Sequence, residues 1–158
     1  MILSEFIYGG MDGIITTAAI IAGILGANIS TKYALVLGMA NLCADGFSMG
    51  ISRYNSLIDI ATSKVSPLLS GIATFFSFVL MGAIPLIPFV FVSYLNEHTM
   101  KKMLLIFSFI AFFIMGLIKG IYTKKVFKSL TEIIIIGSIG VFISFQVSKY
   151  VKGHIHRL

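Results

Sequence analysis

"DGIITTAAIIAGILGA", residues 12–27, reads as the larger part of a membrane-spanning helix. A spanning helix needs about 20 mainly apolar residues, and the residues just before this stretch complete that length. The stretch nevertheless begins with Asp12, and a carboxylate inside hydrocarbon costs about 3 kcal/mol or more. We therefore predict a transmembrane helix over about residues 6–27, and we expect Asp12 to have a functional role in it.

The composition of the whole chain extends this prediction. Of its 158 residues 58% are hydrophobic and 11% are charged, and the mean hydropathy is +1.01, whereas soluble domains are about 45–50% apolar and about a quarter charged. We expect an all-α, polytopic membrane protein in which residues 1–158 form a single transmembrane domain. Four more spans are predicted, at about 33–51, 68–95, 103–122 and 130–150.

The connections between these spans are short, so the first two helices should be antiparallel neighbours. An odd number of spans places the two termini on opposite sides of the membrane. The basic residues of the junctions divide evenly between the two sides, so the distribution of charge does not settle the orientation.

Several classes of function are excluded. The sequence contains no P-loop, GxSxG or HExxH motif, so we predict no enzyme and no permanently bound cofactor. No array of basic and aromatic residues indicates nucleic-acid binding, and a net charge of +6 is accounted for by loop lysines that meet lipid headgroups. Without a nucleotide site, any transport would be driven by ion gradients.

Polar and small residues form a stripe on each of the first two helices. Counting 1.5 Å per residue places Asp12 and Asp45 each about 9 Å from the same membrane surface. Small side chains let helices approach closely in lipid. The predicted metal ligands are Asp12, Asp45, Met49 and Asn41, and the predicted lining of a pathway is Thr16, Ser48, Gly23 and Gly38.

Taken singly, these residues have structural interpretations. Asp12 could cap a helix, Asp45 could bond a neighbouring helix, and Met49 could fill the core. Together they favour a cation site, in which carboxylates suit Mg²⁺, Ca²⁺ or Mn²⁺ while a thioether favours a softer ion such as Fe²⁺. Burial and clustering both disfavour charged carboxylates, so an empty site should hold protons that an arriving metal ion displaces.

Three motifs, "DGIITTAAIIAGILGA", "GMANLCADGFSMGISRY" and "GAIPLIPF", occur in this order and resemble the vacuolar iron transporter family. The resemblance implies a five-helix homodimer, joined through helices one and two, that exports Fe²⁺ and often Mn²⁺ from the cytosol in exchange for protons. It implies a cytosolic N-terminus and an extracytosolic C-terminus, in the cell membrane of a prokaryote or a vacuole-like organelle of a eukaryote.

The resemblance also assigns residues. It places the family's intramembrane acid on Asp12 and its helix-two methionine on Met49, while Asp45 and Asn41 match the prokaryotic-type form of the second motif. A two-fold site would collect two copies each of Asp12, Asp45 and Met49. Typical members insert a Glu-rich cytosolic domain between helices two and three, but here that link is "NSLIDIATSKVSP", whose one acid is Asp59.

Two other functions stay open. The chain could be a non-transporting membrane scaffold or assembly protein, although a scaffold has no reason to keep acids in lipid. It could also be a proton-coupled carrier of another small solute, although the narrow stripes leave little room for one.

A few polar residues and prolines lie outside the stripes. Glu97 with His98, and His154 with His156 in the C-terminal tail, could collect metal, but solvated helix ends are the commoner case. Lys119 is expected to extend to the lipid headgroups. Pro85 and Pro88 should interrupt the third helix as either a hinge or a kink.

Overall fold

Five long helices make up the protein. A computed structural model describes residues 2–58, 65–94 and 96–155, with the backbone alone for residues 90–94. In chain order the elements are α1 (Ile2–Gly26), α2 (Lys32–Ile58), α3 (Pro67–Ala83), a 3₁₀ segment (Ile84–Tyr94), α4 (Glu97–Thr123) and α5 (Val126–Ile155). Each of the five, with the third counted as Pro67–Phe89, is long and apolar enough to cross a membrane. The prediction of an all-α, multi-pass membrane protein is confirmed.

The helices extend beyond the predicted spans. α2 continues to Ile58 rather than residue 51, α4 begins at Glu97 rather than 103, and α5 ends at Ile155 rather than 150. Hydropathy marks only the part of a helix that lies in hydrocarbon, whereas backbone hydrogen bonding continues into the polar flanks. Asp59 and His156 lie outside the described residues.

The third span changes its helix type at its prolines. Pro67 occupies the first turn of α3, where a missing N–H costs nothing, and Ser66 Oγ accepts a bond from the Leu69 N–H. α3 ends at Ala83, directly before the segment that contains Pro85 and Pro88, and the chain continues as a 3₁₀ helix. Each proline removes an α-helical hydrogen bond and crowds the preceding turn.

α1 is the central helix of the subunit. It packs against α3, α4 and α5, whereas α2 packs mainly against α3. Close approach depends on glycine: a Cβ at Gly13 would collide with the Phe78 backbone, and one at Gly26 with the Phe145 backbone. The small residues of α1 are therefore largely used for packing inside the subunit.

Polar contacts hold the helix ends together. At the end where the chain starts, Arg53 pairs with Glu5, and Lys119 Nζ lies 2.8 Å from Glu132 Oε1. Lys119, which was expected to extend to the headgroups, thus pairs with a neighbouring helix. At the opposite end, Glu97 accepts bonds from the N–H and the hydroxyl of Thr31 at 3.2 and 3.0 Å.

Candidate metal pathway

A cleft of about 390 Å³ separates α1 from α2 near the end where the chain starts. We call it the α1–α2 cleft, and its lining residues are Tyr8, Asp12, Ser48, Met49, Ser52, Arg53 and Ser56. Three residues predicted for the site, Asp12, Ser48 and Met49, therefore meet at one place. They come from the two helices whose sequences carry the polar stripes.

The ion pair between Glu5 and Arg53 sets the register of these helices. From this pair, Asp12 lies seven residues along α1, and Asp45 lies eight residues back along α2. At 1.5 Å per residue these separations are about 10.5 and 12 Å. The two acids consequently lie at about the same level along their helices.

The Asp12 side chain is partly buried and lines two clefts. Besides the α1–α2 cleft it lines a second space of about 410 Å³ on the other side of α1. Thr16 Oγ1 donates to the Asp12 backbone oxygen at 2.8 Å, but no side chain in the described ranges hydrogen-bonds or ion-pairs with the Asp12 carboxylate. The carboxylate is thus available to an ion.

Asp45 differs from Asp12 in its exposure. It lies on the outer surface of α2, turned away from the subunit core, and it is not part of the cleft lining. Its neighbours on that surface include Ala44 and Ser48, which are also exposed. A single subunit leaves this acid uncovered.

The side chains of Met49 and Asn41 are each partly buried. Met49 lines the cleft with one side and packs against the core with the other. Asn41 is partly buried, and its Nδ2 has no hydrogen-bond partner among the described residues. Buried polar atoms are almost always paired, so this unpaired amide nitrogen, which is covered by the chain itself, is an exception inside the protein.

The remaining predicted pathway residues lie elsewhere. Gly23 faces the hydroxyls of Ser144 and Ser148 on α5, and buried Gly38 faces Leu86 of the 3₁₀ segment. The Thr16 hydroxyl is bonded to its own helix. The structure brings none of these three residues into the α1–α2 cleft.

Sequence reasoning overlooked part of the cleft. Tyr8, Ser52, Arg53 and Ser56 line it but were not predicted as site residues. Helical spacing contained the signal, because Ser52 and Arg53 follow Met49 by about one turn and Ser56 by about two.

The described polar residues outside the two stripes either contact a neighbouring side chain or belong to no group of metal-binding side chains. Glu97 is bonded to Thr31 and lies 3.7 Å from Lys101, and the His154 ring lies over Tyr150 at 4.3 Å between centroids. Across the described ranges, no group of three His, Cys, Asp or Glu side chains could hold a metal ion within one chain.

The amino-acid sequence is similar to those of several known proteins. A vacuolar iron transporter of Plasmodium berghei (strain Anka) is 46% identical over 54 residues, which are 34% of this chain and 20% of that protein. Vacuolar iron transporter homolog 4 of Arabidopsis thaliana is 26% identical over 171 positions, covering 96% of this chain and 85% of that protein. The chain thus aligns with only one fifth of the Plasmodium protein but with most of the Arabidopsis protein.

Vacuolar iron transporter 1 of Eucalyptus grandis is 23% identical over 218 positions, covering 96% of this chain and 87% of that protein. Because the alignment is longer than the 158 residues here, the Eucalyptus protein contains residues without a counterpart in this chain. A sequence model described as the VIT family matches residues 3–59 and 55–149. The chain therefore belongs to the VIT family.

Proposed function

We propose that this protein exports a divalent transition metal, Fe²⁺ and also Mn²⁺, from the cytosol in exchange for protons. The observation that carries the proposal is the Asp12 carboxylate, which has no side-chain partner in the described ranges and lies in a cleft between two membrane-spanning helices. The similarity to proteins named vacuolar iron transporter supports the same function.

A cation explains why acids are kept at this depth. Two carboxylates at one level of a membrane repel each other, and a divalent ion between them removes both the repulsion and the cost of burial. The thioether of Met49, which lines the same cleft, adds a soft ligand. Soft ligands favour iron over calcium or magnesium, so the set suits a transition metal.

Exchange follows when protons and metal compete for the same oxygens. An empty site keeps carboxylates neutral by binding protons, and a metal ion releases these protons when it binds. The protein then returns in its protonated form, so each flux depends on the other. Asp12 and Asp45 are the groups we propose for this competition.

A second copy of the chain would complete the site. Asp45 is exposed on α2, and one chain provides no group of three acidic, cysteine or histidine ligands in its described ranges. Two copies that meet through α2 across a two-fold axis would supply two of each ligand. Four carboxylates exceed the charge of one M²⁺, so some would stay protonated.

The direction of transport belongs to the same proposal. The N-terminus would face the cytosol, which places the α1–α2 cleft at the cytosolic end of the pathway. The C-terminus, with His154 near the end of α5, would face the opposite compartment.

Transport by purified protein in liposomes tests the proposal. Uptake of Fe²⁺, Mn²⁺, Co²⁺, Zn²⁺ and Ca²⁺ is compared with and without a pH gradient, with protein-free liposomes as the control. We expect uptake of the transition metals to be driven by the gradient and accompanied by proton movement, with Ca²⁺ excluded. Absence of any metal flux would contradict a transporter, and flux without proton movement would contradict exchange.

Disulfide crosslinking tests the second copy. The native cysteine is first removed by Cys43→Ser, and Ala44→Cys then places a thiol on the exposed face of α2. We expect a covalent dimer in the membrane. Ile139→Cys, on an exposed face of α5, is the matched control and should stay monomeric. Crosslinking through Ile139 alone would contradict the arrangement. Gly23 and Gly38 are unsuitable crosslinking sites because they pack inside the subunit.

A further inference from the structure

Arg53 introduces a positive charge into the wall of the α1–α2 cleft. Its side chain is 34% exposed and lines the same space as Asp12 and Met49. A fixed cation beside a metal site is unfavourable, since it repels an arriving M²⁺ and can itself pair with the acids that should bind the metal. The structure must therefore restrain this guanidinium.

Glu5 provides the restraint. Arg53 Nε donates to Glu5 Oε2 at 2.6 Å, and Nη2 lies 2.5 Å from Oε1, so the pair is bidentate. The Glu5 side chain is only 3% exposed. Ser77 Oγ of α3 donates to the Glu5 backbone oxygen at 3.4 Å, which helps to hold this part of α1 in place. A bidentate pair fixes the plane as well as the position of a guanidinium.

Release of Arg53 from Glu5 would leave its guanidinium group free in the same cleft as Asp12. Asp12 lies on the facing wall of this cleft, and it has no competing partner among the described side chains. An arginine side chain is long and flexible. A group tethered beside its target acts at an effective concentration of about the millimolar range, so a free guanidinium would compete strongly with a dilute metal ion.

We infer that Glu5 is a positioning residue that keeps Arg53 from pairing with Asp12 across the α1–α2 cleft as a tethered competing cation. The inference rests on the proposed function, in that the site is taken to bind metal. A stabilising role alone does not explain the pair, because a buried ion pair is weak evidence for stability and apolar side chains of similar volume often serve equally well.

A double-mutant comparison tests the inference by transport. Glu5→Gln keeps the size of the side chain, removes the charge and frees Arg53. We expect the KM for Fe²⁺ to rise by at least about tenfold with little change in the maximal rate, as for a competitive inhibitor at about millimolar effective concentration. Adding Arg53→Gln to Glu5→Gln should return KM to within about threefold of the wild-type value, because the competitor is gone.

The double variant is well matched, since two neutral amides replace two charges and no buried carboxylate is left unpaired. If the pair only supports the fold, the double variant should transport no better than Glu5→Gln, and that result would overturn the inference. Arg53→Lys keeps both charges but loses the bidentate hold, so it should show an intermediate KM. If Glu5→Gln does not fold, the Arg53→Lys variant tests the inference in its place.

A second measurement does not depend on transport. A hydrophobic carbodiimide labels carboxyl groups in a membrane that are not held in ion pairs, and mass spectrometry of peptides locates the label. We expect Asp12 to be labelled in the wild type, protected by at least about fivefold in Glu5→Gln, where the freed guanidinium acts at a high effective concentration, and labelled again in the double variant. Arg53→Lys should give intermediate labelling.

The labelling separates the two proposals. Equal labelling of Asp12 in the wild type and in Glu5→Gln would overturn the role of Glu5, even where metal transport is intact. Absence of metal transport in the wild type would overturn the proposed function, while the labelling pattern would still determine whether Glu5 restrains Arg53.

Discussion

α1 and α2 look alike in sequence, since both are apolar helices with a stripe of small and polar residues, but they have different positions in the fold. In the most apolar part of α1 half of the residues are buried, against 28% in α2. α1 contacts all four other helices and uses its glycines for close packing, whereas α2 contacts mainly α3 and leaves a wide face uncovered.

This difference shows how a small subunit can build a polar site in a membrane. α1, packed on several sides, supplies the Asp12 carboxylate, while α2 supplies the Met49 thioether to the α1–α2 cleft and presents Asp45 on its exposed face. Asp12 is partly buried on the packed helix α1, and Asp45 is exposed on the open helix α2. Substitutions of the packed glycines of α1 should therefore affect folding most, and substitutions of the residues that line the α1–α2 cleft should affect transport.

The largest effect is expected from Gly13→Val on α1. A Cβ at Gly13 would collide with the backbone of Phe78, and a backbone cannot move aside as a side chain can. We expect a loss of stability of about 3 kcal/mol, measured by thermal unfolding in detergent. Gly153→Val is the matched control, because a Cβ at Gly153 meets nothing within 4 Å. Equal stability of the two variants would show that α1 is not tightly packed.

Asp12→Asn should abolish most transport without unfolding the protein. The amide keeps the shape of the carboxylate but cannot balance the charge of M²⁺, and even groups outside the ligand shell of a metal change affinity by about 10–100-fold. We expect liposome uptake to fall by at least about tenfold.

Thermal unfolding of Asp12→Asn should be unchanged or slightly improved, since a partly buried charge is removed. Glu132→Gln, which alters an acid paired with Lys119 away from the cleft, is the control and should transport normally. Wild-type uptake by Asp12→Asn would show that Asp12, which lies in the interior of α1, does not carry the coupling, and would move that role to Asp45.

Met49→Leu should change selectivity more than total activity. It preserves volume and removes the sulfur atom, so the core contact of this side chain is retained. We expect uptake of Fe²⁺ to fall about threefold more than uptake of Mn²⁺, because the softer ion gains more from a thioether.

The matched control is Met39→Leu, on an exposed part of α2 outside the cleft lining. It should leave the ratio of Fe²⁺ to Mn²⁺ uptake unchanged. An equal fall for both ions in Met49→Leu would show that Met49 contributes packing alone.

The smallest effect is expected from Gly23→Ala. The added Cβ would lie 3.0 and 3.2 Å from the hydroxyls of Ser148 and Ser144, which must shift slightly. Alanine favours a helix over glycine by about 1 kcal/mol, so the two effects should nearly cancel. We expect stability and transport within about 1 kcal/mol and about twofold of wild type. A large loss of transport with unchanged stability would restore Gly23 to the pathway.

Part of the site follows from local rules and part does not. The common level of Asp12 and Asp45 could be calculated from the sequence, since helical rise and span length are properties of each helix alone. Placing Gly23 and Gly38 in the pathway required knowledge of which helix covers each small-residue stripe, and the structure covers Gly23 with α5 and Gly38 with Leu86. Lys119 likewise found an acid on α5, thirteen residues away and beyond any helical spacing.

The sequence by itself determined the membrane class, the five helices and the identity of the acids, because hydropathy and the cost of a buried carboxylate act within a single helix. Only the tertiary structure decided that α1 is buried while α2 stays open, and that Glu5 holds Arg53 beside the cleft. Those outcomes depend on contacts between helices that are distant in sequence, and in lipid such contacts are selected by the fit of side chains rather than by hydrophobicity.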